Sequence, residues 1–168
     1  MTALLPSTAL RARNFCVRAS GRASIASLAL FLAAFGVNVC AQDAPTEFTV
    51  IPLSAGIHLI RAEVAADPHD RAKGLMFRPH LGANQGMVFL FEAPAVQCMW
   101  MKNTLIPLSV AFIGDDGRVL NIAEMQPQTE TSHCAAKPAR YALEMNLGWF
   151  AKHGINAGAK ITGLPKPR

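Results

Sequence analysis

The first 41 residues have the composition of an export leader rather than of a folded domain. Four arginines, at positions 11, 13, 18 and 22, precede an uncharged apolar run from Ile25 to Val39, which ends in Val39-Cys40-Ala41. A basic start, a short apolar stretch and small residues before the cut are typical of a secretory signal peptide. We therefore predict cleavage near Ala41 and a working chain that begins at Gln42, located in the periplasm or secreted.

Two alternatives would keep the chain anchored to the membrane. The apolar run of 15 residues could act as an uncleaved anchor, although a helix needs about 20 residues to span a bilayer. Cys40 could instead be acylated as in a lipoprotein, although Val39 places a branched side chain where a small one is preferred. Cleavage is the favoured interpretation, and it limits membrane contact to the leader before cleavage.

The leader also accounts for most of the net charge. The whole chain has 16 basic and 11 acidic residues, a formal charge of +5. Four of the basic residues and none of the acidic ones lie in the leader, so 12 basic and 11 acidic residues remain, a net charge of +1. A nearly neutral protein has no strong positive field to attract phosphate backbones. The basic pI is therefore no argument for nucleic-acid binding, and we expect none.

Cleavage would leave two of the four cysteines, Cys98 and Cys134. Disulfides persist in exported proteins, so we predict a bond between these two residues. The alternative is a pair of separate buried thiols. A redox-catalytic pair is disfavoured because the chain has no Cys-x-x-Cys spacing and no neighbour that would obviously lower the pKa of Cys98.

The 127 residues after the leader suffice for one domain. We expect a linker over residues 42–46, a single domain over 47–163 and a flexible tail over 164–168. Because the apolar runs are short and interrupted by Gly, Pro and Asp, the prediction is a mainly β (α+β) fold, a compact sandwich or barrel-like domain with two short helices. The candidate strands are Phe48 to Leu53, Ile57 to Ala65, Met87 to Phe91, Val96 to Lys102, Leu108 to Ile113, Arg118 to Glu124, Arg140 to Asn146 and Lys160 to Gly163.

Turn and cap residues predict three local features. The segment 114–117, Gly-Asp-Asp-Gly, indicates a hairpin between the fifth and sixth strands. Asp67 followed by Pro68 is typical of a helix start, and that helix should end near Gly74. A second helix is predicted from about Leu147 to His153, with Gly154 as its cap.

Four segments carry a resemblance to a known family. They are Arg71-Ala-Lys-Gly-Leu-Met-Phe-Arg78, Gly86-Met-Val-Phe-Leu-Phe91, Trp100-Met-Lys-Asn-Thr-Leu-Ile-Pro-Leu108 and Tyr141-Ala-Leu-Glu-Met-Asn-Leu-Gly148. Together they resemble the family called domain of unknown function 192. The resemblance implies a small β-rich fold, commonly exported, and implies no activity. Family members often have an aromatic or small residue at the position of Cys98, so the resemblance does not imply the disulfide.

Glu144 is the main candidate for chemistry. Strand alternation places it on the face opposite Tyr141, Leu143 and Met145, where a buried lone carboxylate needs a cation or a raised pKa. The available partners are cations and an amide from the other motifs. They could form with Glu144 a ligand pocket or, as the slightly favoured interpretation, a closed ion-pair cluster. These candidate residues are Arg71, Arg78, Lys102 and Asn103.

Met99 and Met101 are a second candidate site, because alternation points both thioethers in one direction and Trp100 in the other. Soft sulfur ligands suit Cu(I). Methionine is also a common filler of protein cores, so packing is the favoured interpretation and we expect no metal or other cofactor.

We therefore predict a small soluble periplasmic accessory or ligand-binding protein whose partner is a small ligand or an envelope component. One alternative is an envelope enzyme, hydrolase-like, with Glu144 as general base. The other is a methionine-based Cu(I)-binding protein.

Overall fold

The computed structural model describes residues 48–166. This part of the chain is mainly β, with two short helices, which confirms the predicted fold class. The predicted leader and linker lie outside the described residues. In chain order the elements are β1 (Val50–Ala55), β2 (His58–Ala65), α1 (Pro68–Lys73), β3 (Gln85–Ala95), β4 (Cys98–Met99), β5 (Leu108–Ile113), β6 (Val119–Met125), β7 (His133–Cys134), β8 (Ala139–Asn146), α2 (Trp149–Lys152) and β9 (Ile161–Thr162).

Seven strands form one curled sheet, a half-barrel, in the order β6-β5-β8-β3-β2-β1-β9. Most neighbouring strands are antiparallel, but β2 and β3 are parallel, and such a pair requires a crossover connection. Helix α1 lies within that connection. Strand β8 pairs with β3 on one side and β5 on the other, so it lies inside the sheet. Its residues from 141 to 145 are all buried.

The predicted hairpin is present between β5 and β6. Gly117 donates its backbone N–H to the carbonyl of Gly114 at 2.9 Å. Gly117 has φ of +76°, a conformation that glycine adopts without steric cost.

Helix α1 begins where the sequence indicates. Asp67 accepts a hydrogen bond from the backbone N–H of Asp70 at 2.9 Å, and Pro68 occupies the first turn. Gly74 follows the last helical residue, with φ of +48°. Asp67 thus starts the helix by accepting a hydrogen bond from one free backbone N–H group. Pro68 needs no such partner because proline has no backbone N–H group.

The second helix, α2, is shorter than the predicted range from Leu147 to His153. Gly148 has φ of +74°, in the left-handed region, so the helical conformation cannot start before Trp149. His153 is the capping residue and Gly154, with φ of +67°, follows it.

The predicted strand from Val96 to Lys102 is too long, and β7 was not predicted. Only Cys98 and Met99 pair as β4, and their partners are Cys134 and His133 of β7. Beyond Met99 the backbone makes a loop contact instead, in which Met101 donates its N–H to the carbonyl of Thr129 at 2.9 Å.

The core has two parts that lie on opposite faces of β8. The closed face, the side of β8 that carries Tyr141, Leu143 and Met145, packs against both helix α2 and strands β1 and β2. The open face, the side that carries Ala142 and Glu144, packs against a second set of apolar residues. This set includes Leu75, Met87, Phe89, Met101, Leu108, Val110, Phe112 and Met125.

At the end of the described chain, the Tyr141 hydroxyl donates a hydrogen bond to the carbonyl of Pro165 at 3.0 Å. Neither α1 nor α2, the helices of residues 48–166, has the length and apolar character needed to cross a membrane.

Candidate functional site

Glu144 is a buried acidic residue at the centre of the sheet. On β8 it lies opposite Met87 of β3 and Val110 of β5, and only 4% of its surface is exposed. It lies on the face opposite Tyr141, Leu143 and Met145, as strand alternation predicted. Sequence alone therefore placed this carboxyl on the correct face of the sheet.

No described residue forms an ion pair or a side-chain hydrogen bond with the Glu144 carboxyl. Among residues 48–166, moreover, no fully buried side-chain nitrogen or oxygen lacks a hydrogen-bond partner. Because the Glu144 carboxyl has none there, its oxygens must reach open space. That space is the cavity described next, and the carboxyl remains available to a molecule that enters it.

The environment of Glu144 favours its protonated form. Burial raises the pKa of Glu144 from 4.5 to about 8, because a charged group is poorly solvated in an apolar interior. Burial is the cause of this shift. At neutral pH the group is therefore mostly a neutral acid that can donate one hydrogen bond, and it ionises in a mildly basic range.

A cavity of about 230 Å³ lies above Glu144. Such a volume holds about eight water molecules, or a small molecule with a similar number of non-hydrogen atoms. Its walls come from α1, the loop that follows α1, strand β3 and the segment around β4. The lining residues are Arg71, Ala72, Lys73, Gly74, Leu75, Met76, Phe89, Phe91, Cys98, Met99, Trp100 and Glu144.

Arg71 and Glu144 line the same cavity, but the Arg71 guanidinium is engaged elsewhere. Its Nη1 donates to the carbonyls of Ala66 and Leu90, and its Nη2 lies 3.6 Å from a carboxylate oxygen of Glu92. Arg71 therefore fastens α1 to the flanking chain, and it also forms part of the cavity wall.

The other three residues of the predicted pocket do not line this cavity. Arg78 forms a two-pronged ion pair with Glu63, with N···O distances of 2.6 and 2.5 Å. Lys102 Nζ lies 3.7 Å from a carboxylate oxygen of Glu130. Asn103 has φ of +57°, and its backbone carbonyl accepts a hydrogen bond from Phe77. The structure thus brings together Arg71 and Glu144 and leaves Arg78, Lys102 and Asn103 in other contacts.

Met99 and Met101 differ in their surroundings. Met101 is fully buried in the core of the open face, whereas Met99 packs against that core and also lines the cavity. Trp100, between them, is 48% exposed and contributes to the cavity wall. The Cu(I) interpretation of Met99 and Met101 stays a prediction.

The predicted disulfide joins Cys98 and Cys134. The two residues face each other in the β4–β7 pair, with their Cα atoms 4.0 Å apart. Because Cys98 and Met99 belong to β4 and line the cavity, the disulfide ties one cavity wall to β7.

The contributions of Phe89, Phe91 and Met76 to the cavity wall were not predicted from the sequence. Phe89 and Phe91 follow Met87 at every second position of β3, and Met87 is the residue paired with Glu144. Alternation alone would therefore have placed both rings on the Glu144 side. The contribution of Met76 could not be deduced, because it depends on how the loop after α1 folds back.

Two other features are weaker candidates. A larger cavity of about 640 Å³ lies between the two ends of the described chain, lined by residues that include Phe48, Asp67, Glu92 and Lys166, and no buried acid or base faces it. Asp67, His69 and Asp70 are the only group of three potential metal ligands within residues 48–166. This group lies at the start of α1, where helix capping by Asp67 explains its geometry.

The fold and the site define a small β-rich domain with a buried, partnerless carboxyl beneath an aromatic cavity. The chain belongs to the family DUF192, described as "Uncharacterized ACR", whose sequence profile matches residues 50–163. The predicted family membership is thereby confirmed. Among curated proteins, no sequence matches the chain.

The solved structures that are similar to this chain include the following two. A protein of unknown function from Novosphingobium aromaticivorans DSM 12444 is 41% identical, with a TM-score of 0.67, over 70% of this chain and 89% of that one. A protein from Sinorhizobium meliloti 1021, described as a "putative transcription regulator", is 31% identical, with a TM-score of 0.66, over 70% of this chain and 96% of that one. The family and the first of these neighbours have no assigned function.

Proposed function

We propose that this protein is a soluble periplasmic accessory protein that binds a small molecule in the Glu144 cavity. The observation that supports binding is the buried carboxyl without a partner. Only 4% of the Glu144 surface is exposed, and its carboxyl can be reached only from the cavity, whereas buried polar side chains usually have a partner within the protein. A ligand that enters the cavity can supply the hydrogen-bond or ion-pair partner that the protein does not.

The cavity supports binding of small molecules in two further respects. Its lining is mostly apolar and aromatic, with three charged or polar side chains, Arg71, Lys73 and Glu144, and small-molecule sites usually combine apolar walls with a few polar groups. Its main walls are also fixed before any ligand arrives, since the disulfide holds β4 and the Arg71 hydrogen bonds hold α1. A preformed site binds with a smaller loss of conformational entropy.

Binding is better supported than hydrolysis. Among the cavity-lining residues of the described chain, Glu144 is the only acid, and the one cysteine is bonded to Cys134. A hydrolase needs a group that activates water and others that stabilise the developing charge. The raised pKa of Glu144 alone does not supply that second function.

The compartment is part of the proposal and has independent support. A disulfide persists in an oxidising compartment such as the periplasm and is rare in the bacterial cytosol. The leader-like first 41 residues agree with this. The net charge of +1 outside the leader supports a partner other than nucleic acid.

A thermal-shift screen tests the binding function. Protein produced from the full-length chain is heated with a library of compounds of about eight non-hydrogen atoms or fewer, a limit set by the cavity volume. We expect at least one compound to raise the melting temperature of the wild type and not that of Glu144→Gln. Glu130→Gln is the matched control because Glu130 is exposed and lies outside the cavity.

Ala72→Trp is a second test variant. Ala72 is exposed on α1 yet lines the cavity, so the larger side chain should block entry without disturbing the core. The proposal is wrong if no compound raises the melting temperature of the wild type. It is also wrong if every stabilising compound raises the melting temperatures of Glu144→Gln and Ala72→Trp as much as that of the wild type.

A further inference from the structure

We infer that the ligand of the Glu144 cavity is a small organic cation, an amine or ammonium compound with an apolar body. This inference rests on the proposed binding function and names the class of ligand. Three features of the cavity support it: a missing counter-ion, an aromatic cage and a limited volume.

The missing counter-ion is the first feature. The cations that the motifs bring near the sheet are engaged elsewhere: Arg71 with two carbonyls and Glu92, Arg78 with Glu63, and Lys102 with Glu130. None of them shifts the pKa of Glu144, which responds to burial alone. A buried carboxyl that lacks a protein cation is a site where a ligand can supply one, since an opposite charge within a few ångströms favours the ionised form.

The aromatic cage is the second feature. Phe89, Phe91 and Trp100 line the cavity together with the polarisable thioethers of Met76 and Met99. Aromatic faces attract cations, and ammonium ligands are commonly held in such cages. Lys102 shows this attraction within the molecule, because its Nζ lies 5.4 Å from the centre of the Trp100 ring.

The lining also includes two basic residues, Arg71 and Lys73. Because like charges repel, these residues limit a cationic ligand to a single positive charge. Both belong to α1, and the Arg71 charge is compensated by Glu92. An anionic ligand would place a second acid against Glu144, and like charges at one site disfavour ionisation of both. A single ammonium group beside Glu144 avoids this conflict.

The volume is the third feature. A cavity of about 230 Å³ accepts about eight non-hydrogen atoms. This admits one ammonium group and a short apolar chain, and it excludes polymers and nucleotides from full burial.

Three probes of equal chain length separate the ligand classes: hexylamine, hexan-1-ol and hexanoate. Their affinities for the protein produced from the full-length chain are measured by calorimetry near the pKa of Glu144, about 8, and about two pH units below it. We expect hexylamine to bind at least tenfold more tightly than hexan-1-ol near that pKa, and hexanoate not to bind. Glu144→Gln and Ala72→Trp should each weaken hexylamine binding at least tenfold, while Glu130→Gln should not.

The pH dependence gives a second readout. An ammonium ion pairs with the ionised carboxyl, whose fraction falls about tenfold for each unit below the pKa. Hexylamine affinity should therefore fall by roughly 50-fold over those two units. A ligand that accepts a hydrogen bond from the protonated acid would show the opposite trend, with affinity lost above the pKa.

The outcomes separate the two proposals. If hexan-1-ol or hexanoate binds more tightly than hexylamine and the binding needs Glu144, the class is wrong and the binding function stands. If hexylamine binds to Glu144→Gln and to Ala72→Trp as tightly as to the wild type, the amine binds elsewhere and the proposed ligand class is overturned. If no probe binds to this site while the library screen also finds no compound, both proposals fail.

Discussion

The two faces of β8 differ although consecutive residues of one strand form them. Leu143 on the closed face is fully buried among apolar side chains that include Trp149 and Phe150 of α2. Glu144 on the open face meets a cavity and no polar partner. The closed face has the composition of a stabilising core, whereas the open face retains a group that costs free energy to bury. Such a cost is typical of functional sites.

The largest expected effect concerns the pH dependence of stability. The pKa of Glu144 is raised in the folded protein to about 8, so the folded state keeps a proton that the unfolded chain releases. The contribution of this bound proton to the free energy of unfolding is complete below about pH 4.5 and is lost as the pH rises to about 8. At about 1.4 kcal/mol per pH unit, the loss amounts to roughly 5 kcal/mol.

Glu144→Gln tests this effect because glutamine does not ionise. Urea unfolding of the wild type and the variant should give free energies that diverge as the pH rises from about 5 to about 8, with the variant increasingly the more stable. Glu130→Gln should run parallel to the wild type. Parallel curves for wild type and Glu144→Gln would show that the carboxyl ionises freely and that the open face is wetter than the structure indicates.

The second effect concerns the disulfide, which supports a wall of the open face. Cys98 and Cys134 are separated by 36 positions in the chain, and closing such a loop removes about 4 kcal/mol of unfolded-state entropy in the chain-entropy model. The double variant Cys98→Ala/Cys134→Ala should lose about that much unfolding free energy. The wild type in excess dithiothreitol should lose a similar amount.

Thiol titration gives the control for this experiment. Denatured wild type should show no free thiols at positions 98 and 134 before a reductant is added. A loss below about 1 kcal/mol in the double variant would show that the hydrogen bonds beside β7, such as the one from Ala136 N–H to Asn121 Oδ1, hold this wall without the disulfide.

The features that sequence predicted correctly depend on local rules. The cap of α1, the hairpin at residues 114–117 and the face of Glu144 follow from one or two neighbouring residues and from strand alternation. The disulfide followed from the number of cysteines left after the leader. Family membership followed from motifs that span most of the domain.

The features that sequence did not predict depend on tertiary contacts. Strand β7 has only two residues, too few for an alternating pattern. Arg71 bonds with the carbonyls of Ala66 and Leu90, and any residue can supply a carbonyl. The residues expected around Glu144 were chosen by charge, whereas the fold satisfies those charges near the surface and leaves the carboxyl alone. A list of charged residues therefore overestimates the polarity of the site.

The smallest of the three expected effects on stability concerns the packing of the closed face. Leu143→Ala removes a fully buried side chain from the closed face and should cost about 3 kcal/mol of unfolding free energy. Leu105→Ala, at a site that is 43% exposed, should change it by less than about 0.5 kcal/mol. Urea unfolding measures both.

Ligand affinity then shows whether the faces act separately. Leu143 and Glu144 point to opposite sides of β8, so Leu143→Ala should leave the affinity for hexylamine unchanged at a temperature where the variant is folded. Glu144→Gln should do the reverse, weakening binding without loss of stability near neutral pH. If Leu143→Ala weakens binding as much as Glu144→Gln does, the closed face sets the geometry of the cavity, and one packed sheet controls both stability and binding.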